Sequence, residues 1–271
     1  MSPDLVRFES LGTSCELFAV GIDPDELSSG RAWIEAMHAR LTRFDPASEL
    51  SCFNASAGGW VAVSPELETL LREALRAHEV SGGLVHAAVL RALVAAGYGR
   101  TFAAGPTAVS DTAGLGALPP LPELLQVSAG GARLRPGFGI DLGGIAKGWL
   151  ADRLAARLGP NCLVNLGGDL FARGAGPSGD GWPVGFGGTT LLLCDRAAAT
   201  SGIHGRAWGE GLHHLVDPRT GRPAETDLVE VSVLAASAAD AEIHAKTALL
   251  LGREAAPYYL SGHCSGWNLT S

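Results

Sequence analysis

Apolar residues recur every three or four positions in several stretches of the chain, which is the spacing of an amphipathic helix. One such stripe joins Trp33, Ile34, Met37 and Leu41, and Gly252 follows the last stripe as a stop signal. Together with capping signals, these stripes predict helices at about residues 28–41, 65–80, 87–96, 149–158 and 238–251.

Shorter stretches rich in β-forming residues lie between these helices. Residues 8–20 predict one strand, with Leu11-Gly12-Thr13 as an interruption in it. Residues 127–140 predict a hairpin, and residues 162–170 predict a buried strand broken by a glycine pair. Because helices and strands interleave while hairpins also occur, the pattern favours an α+β fold over a doubly wound parallel sheet.

Length and composition limit the kind of protein. The 271 residues are 46% hydrophobic, enough for a large core in one domain or in two closely associated lobes, and no linker is evident. The net charge of -8, without a basic cluster, argues against nucleic-acid binding. No apolar run is long enough for a bilayer, and no signal segment is evident. We therefore expect no membrane insertion and a cytoplasmic location, unless a leader was removed.

The five cysteines are scattered, odd in number and contain no CxxC pair. This pattern favours buried thiols in a reducing compartment over disulfides or a zinc site.

A glycine-rich stretch at residues 139–148 is the first candidate for chemistry. It contains Asp141, then Gly143 and Gly144, then Lys147 at the start of a predicted helix. Glycines allow close approach of the backbone, and a helix start with a lysine favours an anion such as a phosphate. The alternative is a tight turn with a solvated lysine. The stretch is neither a Walker loop nor the GxGxxG fingerprint.

Polar residues gather again between residues 206 and 221. Arg206 is followed by His213, His214 and Asp217. A histidine near a carboxylate can act as a general base, with the carboxylate orienting its ring. On spacing alone, a hairpin turn with a structural histidine is the better interpretation.

On the last predicted helix, Glu242 and Lys246 are four residues apart and share one face. An ordinary helical ion pair is the simpler interpretation, and a carboxylate at a Mg²⁺ or phosphate site is the alternative. Two further candidates are His86, most simply a structural histidine at a helix start, and Phe44, which can stack on a flat heterocycle or simply hold its loop.

Eight motifs occur in an order that resembles the ApbE family, the FAD:protein FMN transferases. They are Leu11-Gly12-Thr13, LTRFDPASELSCFN from Leu41, SGGLVHAAV from Ser81, DLGGIAKGWLADRL from Asp141, LVNLGGDL from Leu163, ATSG from Ala199, HHLVDPRTGRPA from His213 and AEIHAKTALLLG from Ala241. The resemblance covers nearly the whole chain.

The resemblance implies a single catalytic domain over residues 1–271, with mixed, mostly antiparallel sheets, packed helices and a flavin cleft. It implies an enzyme that cleaves the diphosphate of FAD with Mg²⁺, attaches FMN by a phosphoester to a threonine or serine of a partner flavoprotein, and releases AMP. Two alternatives remain: a degenerate FAD-binding protein with little transfer, or an FAD pyrophosphatase that gives FMN and AMP.

The resemblance also implies site residues. The positions expected to contact FAD are Leu11, Phe44, Leu84, Val85, His86, Asp141 and Lys147, to which the glycine bend adds Gly143 and the polar cluster adds Arg206. The expected catalytic residue is His214, and the polar cluster, rather than the resemblance, adds Asp217 as the residue that orients it. The expected metal ligands are the Gly144 carbonyl and Glu242.

Three residues depart from the family pattern. His86 and Glu242 both stand where the family usually has aspartate, and Lys246 stands where a metal-ligating threonine is usual. Lys246 is expected either to replace part of the Mg²⁺ charge or to mark a weakened metal site. Thr247 faces about 100° away on the helix and is a poor substitute.

Overall fold

The computed structural model describes residues 2–56, 58–110 and 116–271. Within it the chain forms two compact units. The first consists of Met1–His38, Ile145–Gly202 and Asp227–Ser271, and the second of Ala39–Gly144 and Ile203–Thr226. That the two units act as one catalytic domain stays a prediction.

The described residues contain many short strands and a smaller number of helices. The strands are β1 Asp4–Ser10, β2 Thr13–Ala19, β3 Val61–Ala62, β4 Leu125–Ser128, β5 Gly131–Leu134, β6 Cys162–Leu166, β7 Asp169–Arg173, β8 Trp182–Phe186, β9 Thr189–Leu193, β10 Arg196–Gly202, β11 Ala207–Gly209, β12 Leu212–His213, β13 Val216–Asp217, β14 Arg222–Pro223, β15 Glu230–Ala235 and β16 Gly266–Thr270. The α-helices are α1 Pro24–Leu41, α2 Glu49–Asn54, α3 Pro65–Val80, α4 Leu90–Ala95, α5 Leu121–Leu124, α6 Ala146–Leu158 and α7 Ala238–Ser261, and single 3₁₀ turns cover Ala87–Val89 and Phe102–Ala104.

The first unit is built on a seven-stranded sheet of order β1-β2-β6-β7-β10-β15-β16. Every neighbouring pair in it is antiparallel. The prediction of an α+β fold with mostly antiparallel sheets is therefore confirmed.

The prediction of one interrupted strand at residues 8–20 was wrong. Leu11 and Gly12 have φ values of 54° and 69°, and they reverse the chain so that β1 pairs with β2 from Ser10 and Thr13 outwards. Two successive residues with positive φ form the kind of turn that suits a two-residue hairpin. The hydrophobic pattern alone does not distinguish this hairpin from an interrupted strand.

Helices α6 and α7 pack on each other and on the central strands of this sheet. Asp152 of α6 fixes the start of α7, because its two carboxylate oxygens accept from the backbone N–H groups of Ala238 and Ala239. Gly252, with a φ of 80°, breaks α7 where the sequence predicts its end, but a further helical segment continues to Ser261.

A separate core cluster in the first unit joins the sheet to the hairpin formed by β8 and β9. The cluster consists of Leu163, Leu170, Ala172, Trp182, Val184, Leu193 and Ala198. The Trp182 indole N–H donates to the carbonyl of Arg173 at 2.9 Å, so its polar atom is satisfied within the core.

The second unit contains the sheet of order β3-β5-β4, the hairpins β11-β12 and β13-β14, and helices α2 to α5. Helix α3 begins as predicted, since the Ser64 hydroxyl accepts from the Leu67 N–H and Pro65 is its first residue. The predicted helix at 87–96 is a 3₁₀ turn followed by α4.

All five cysteines are free thiols, as the sequence predicts. Cys15 and Cys162 are buried, and burial raises the pKa of each to about 11. Cys52 and Cys194 are exposed, so the prediction of buried thiols was wrong for these two. Among the described residues, no helix combines the length and the hydropathy needed to cross a bilayer.

Candidate active site

In the first unit, the residues after the glycine bend form a buried cluster of charges. The Lys147 ammonium is paired with the Asp169 carboxylate, and their side chains are 17% and 2% exposed. The Gly148 N–H, one residue later, donates to Glu242 Oε2 at 2.9 Å. Lys147 is thus an internal charge, and the alternative of a solvated lysine was wrong.

Glu242 is joined from its own helix by Lys246, whose Nζ lies 4.0 Å from Glu242 Oε1. These side chains are 4% and 13% exposed, so the predicted ion pair exists but is buried. Burial raises the pKa of the Glu242 carboxyl, and the negative charge of Asp169 adds to this effect. Lys147, Lys246 and the Gly148 N–H act in the opposite direction.

The donors around Glu242 do not fit a Mg²⁺ ion. Magnesium is normally held by oxygen ligands in octahedral geometry, whereas two ammonium groups act on this carboxylate. The Thr247 hydroxyl is held against its own helix, where Oγ1 donates to the Ile243 carbonyl at 2.7 Å. Among the residues described, no group of three or more His, Cys, Asp or Glu side chains is arranged for a metal.

Leu11, the other predicted FAD contact in the first unit, lies at the hairpin turn. Its N–H donates to Nδ1 of His38 at 3.2 Å, and the Ser10 hydroxyl lies 3.2 Å from the same nitrogen. The positive φ of Leu11 and this contact fix the turn.

In the second unit, Asp141 is held on both sides of its carboxylate. Its Oδ1 accepts from the Gly143 N–H at 2.9 Å, which shapes the glycine bend up to Gly144. Its Oδ2 lies 2.6 Å from Nε of Arg43, whose side chain is 5% exposed. The Asn54 side chain holds the backbone of the preceding residue, Ile140. Its Nδ2 donates to the Ile140 carbonyl, and its Oδ1 accepts from the Ile140 N–H.

Arg43 also connects Asp141 to an aromatic group. Its guanidinium lies 4.2 Å from the ring centre of Phe44 and 4.6 Å from that of Tyr98. The ring centre of Tyr98 in turn lies 5.2 Å from that of Trp208. The predicted flavin contacts Phe44 and Asp141 are therefore brought together, and Arg43, which the sequence reasoning missed, joins them.

Leu84, Val85 and His86 are all buried. The Val85 N–H donates to the Ser81 hydroxyl at 2.8 Å. His86 caps the following 3₁₀ turn, because its Nδ1 accepts from the Ala88 N–H at 3.1 Å and its Nε2–H donates to the Pro119 carbonyl at 3.0 Å. Burial lowers the pKa of His86 to about 4, so the ring is neutral near pH 7.

The polar cluster of residues 206–221 separates its two histidines. His213 is buried, with its Nε2 3.0 Å from the Ala224 carbonyl and its Nδ1 accepting from the Leu215 N–H. His214 is half-buried, and its N–H donates to the Arg206 carbonyl at 3.2 Å. His213 is therefore the structural histidine, and Arg206 and His214 lie on adjacent segments.

The Asp217 carboxylate stabilises the turn that follows it. Both of its carboxylate oxygens accept from the Arg219 side chain at 2.7 to 3.0 Å, and Oδ1 also accepts from the Arg219 N–H. An open pocket beside this turn is lined by Asp217, Thr220, Arg222 and Glu225. The role of orienting His214 stays a prediction for Asp217, whose carboxylate is already engaged by Arg219.

Comparison with known proteins assigns this fold to a class. Solved structures of the ApbE protein of Thermotoga maritima and of the flavin transferase ApbE of Vibrio cholerae match with TM-scores of 0.83 and 0.79. They cover 100% and 99% of this chain, and 97% and 98% of their own chains, at 21% and 23% identity. The class is thus that of the ApbE flavin-transferase fold.

The sequence itself matches the model of the ApbE family over residues 11–267. The chain belongs to the ApbE family. It is 34% identical to an FAD:protein FMN transferase of Treponema pallidum over 76% of this chain, and 27% identical to one of Vibrio cholerae over 82%. The matches span 66% and 72% of those proteins, and only 40% of a Klebsiella pneumoniae relative.

Proposed function

We propose that this chain transfers FMN from FAD to a hydroxyl of a partner flavoprotein and releases AMP. The observation that carries the proposal is the family match over residues 11–267, since it includes the motifs at residues 141–148 and 213–221. The buried Lys147 and the half-buried His214 supply the two functions that phosphoryl transfer needs, a fixed positive charge and a proton acceptor.

In the proposed reaction, the acceptor hydroxyl oxygen bonds to the FMN-side phosphorus of FAD. The bond from that phosphorus to the bridging oxygen breaks, and AMP leaves with that oxygen. The hydroxyl proton passes to His214. Lys147, Gly143 and Arg206 are each proposed as diphosphate contacts on the sequence reasoning alone, and negative charge increases on the AMP that leaves.

The remaining FAD contacts are proposed from the family resemblance. They are Leu11, Phe44, Leu84, Val85, His86 and Asp141. His86 is proposed as a contact through its ring carbons, because both ring nitrogens are bonded within the protein. Phe44 and Asp141 share Arg43 as a neighbour, which supports a common role for them.

Magnesium is the part of the family chemistry that we do not carry over. The resemblance implies ligands at Gly144 and Glu242, but the ammonium groups of Lys147 and Lys246 act on Glu242. We therefore assign no step of the reaction to a metal.

The acceptor is proposed to be a threonine or serine of a flavoprotein, because such a hydroxyl gives a stable phosphoester with FMN. A cytoplasmic location is proposed as well, and the free thiols of all five cysteines support a reducing compartment. Fractionation of cells that express the chain with reporter fusions tests the location.

One experiment separates transfer from the two alternatives. Purified protein is incubated with FAD, Mg²⁺ and a candidate acceptor flavoprotein, and AMP release and flavin fluorescence on the denatured acceptor are followed. Transfer gives AMP and denaturation-resistant fluorescence together. A pyrophosphatase gives AMP and free FMN, and a degenerate binding protein gives neither; either result would contradict the proposal.

A further inference from the structure

The charge cluster of the first unit is balanced without a metal. It contains two carboxylates, Asp169 and Glu242, and two ammonium groups, Lys147 and Lys246. All four side chains are at most 17% exposed. A divalent cation beside Glu242 would add two positive charges to a site where two lysines already act, and like charges at such distances repel strongly in a buried environment.

The use of lysine in this chain points to the same cluster. Of 20 basic residues, Lys147 and Lys246 are the only lysines, and all others are arginines. Arginine suffices for the ion pairs elsewhere, for example Arg43 with Asp141 and Arg219 with Asp217. An ammonium group is a compact point charge, whereas a guanidinium is a planar fork, so only lysine approximates the shape of a small cation.

The position of Lys246 links its ammonium group to the expected metal site. It stands where the family resemblance expects a metal-ligating hydroxyl, and its Nζ is directed at the carboxylate expected to hold the metal. Gly148 completes the arrangement, because its N–H donates to the other oxygen of Glu242 at 2.9 Å. Both carboxylate oxygens are thus directed at groups of the protein.

We propose that the Lys246 ammonium replaces the divalent cation in this chain, so that FMN transfer needs no divalent metal. The proposal rests on the proposed function for its transfer readout, but its metal-binding readout is independent of any activity. The Lys246 ammonium supplies one positive charge beside the Glu242 carboxylate. The neighbouring Lys147 ammonium supplies the second.

The first test measures metal binding to the full chain with Mn²⁺ alone as the probe. Because the chain has only two lysines, lysine labelled with ¹³C at Cε gives two resonances, and K246M assigns them by loss of one. In the wild type we expect the free-ion electron paramagnetic resonance signal of Mn²⁺ and no paramagnetic broadening of either resonance. Binding of Mn²⁺ with broadening of the Lys246 resonance would overturn the proposal.

The second test installs the family's donors. The double variant K246T/E242D is expected to bind Mn²⁺ and to lose transfer in EDTA, with recovery when Mg²⁺ is added. K246M, which removes the charge without adding an oxygen donor, is expected to lose about 100-fold in transfer rate and to show no recovery with Mg²⁺. Wild-type transfer is expected to be the same in EDTA and in Mg²⁺.

The outcomes separate the two proposals. If the wild type transfers FMN only with Mg²⁺, the metal-free mechanism is wrong and the proposed function stands. If the wild type transfers nothing in EDTA or in Mg²⁺ yet binds no Mn²⁺, the proposed function and the metal-free transfer are both wrong, and only the exclusion of a divalent cation at Glu242 is supported. If circular dichroism shows that the double variant does not fold, the Mn²⁺ titration and the EDTA comparison of the wild type still decide whether the metal is replaced.

Discussion

The backbone N–H of Gly148 donates to the buried carboxylate of Glu242, although 94 positions separate the two residues. This bond joins the first turn of α6 to α7. It needs a residue without a side chain, because a Cβ on Gly148 would lie 2.3 Å from the Ala238 carbonyl oxygen. The close approach of the two helices therefore sets the geometry of the charge cluster.

The first prediction concerns this contact. Gly148→Ala should destabilise the protein by about 2–3 kcal/mol, because the new methyl group meets backbone atoms that cannot turn away. Urea denaturation measures the loss. Gly185→Ala is the matched control, since a Cβ on Gly185 meets nothing within 4 Å, and it should change stability by less than about 0.5 kcal/mol. Equal stability of both variants would show that the helices can separate easily.

Arg43 gives the second prediction. Arg43→Met leaves the Asp141 carboxylate without its guanidinium and removes the cation that lies near the rings of Phe44 and Tyr98. We expect the dissociation constant for FAD to rise about tenfold or more, since loss of one partner of a buried ion pair disturbs the other. Quenching of FAD fluorescence measures the change. Arg72→Lys on the exposed face of α3 is the control, and an Arg43→Met variant with normal FAD affinity would exclude Arg43 from the site.

The neighbouring histidines give the third prediction, in which each serves as the control for the other. His214→Ala should lower the transfer rate by about 10²- to 10⁴-fold, the usual effect of losing a general base, with FAD affinity and melting temperature unchanged. His213→Ala should instead destabilise the fold by about 1–3 kcal/mol, because two buried hydrogen bonds are lost. Unchanged turnover in His214→Ala would remove this residue from the mechanism.

The fourth prediction is a dependence of stability on pH that comes from His86. Burial lowers the pKa of His86 from 6.5 to about 4 in the folded state. The unfolded chain therefore takes up a proton at a pH where the folded chain does not, so stability falls as the pH drops below about 6.5 and this loss ends near pH 4. Between about pH 7.5 and pH 5 we expect a loss of about 2 kcal/mol.

Urea titrations at the two pH values measure this loss. His86→Asn keeps an acceptor for the Ala88 N–H but does not titrate, so its stability should depend less steeply on pH. Some dependence should remain, because burial also lowers the pKa of His78 and of His213. An identical pH dependence in the wild type and in His86→Asn would contradict the assignment to His86.

Local signals explain which parts of the fold the sequence predicts. Helix α3 follows from Ser64 and Pro65 together with its apolar stripe, and all of these act within one or two turns. The hairpin of β1 and β2 was missed because a residue such as Leu11 rarely adopts a positive φ, and here that φ accompanies strand pairing and the contact with His38. No local pattern reports such a contact.

The residues of the candidate site also divide into those with a local signal in the sequence and those whose partners are distant. The pair of Glu242 and Lys246 follows from their spacing on one helix, and the structure confirms it at 4.0 Å. Asp169 and Arg43 were missed because their partners, Lys147 and Asp141, are distant in sequence. The acid that follows the glycine pair in a buried strand was the available signal for Asp169. The glycine bend and the polar cluster supplied the roles of Gly143, Arg206 and Asp217, and the resemblance supplied those of the remaining residues.

Because lysine is scarce in this chain, cleavage after lysine reports on the first unit. A protease that cuts only after lysine has two sites in 271 residues, and both belong to the first unit, whereas the second unit has none. Since both side chains are mostly enclosed, cleavage requires that the interior of the first unit opens. The rate of cutting under native conditions therefore reports the opening equilibrium of that unit alone, without any label or mutation.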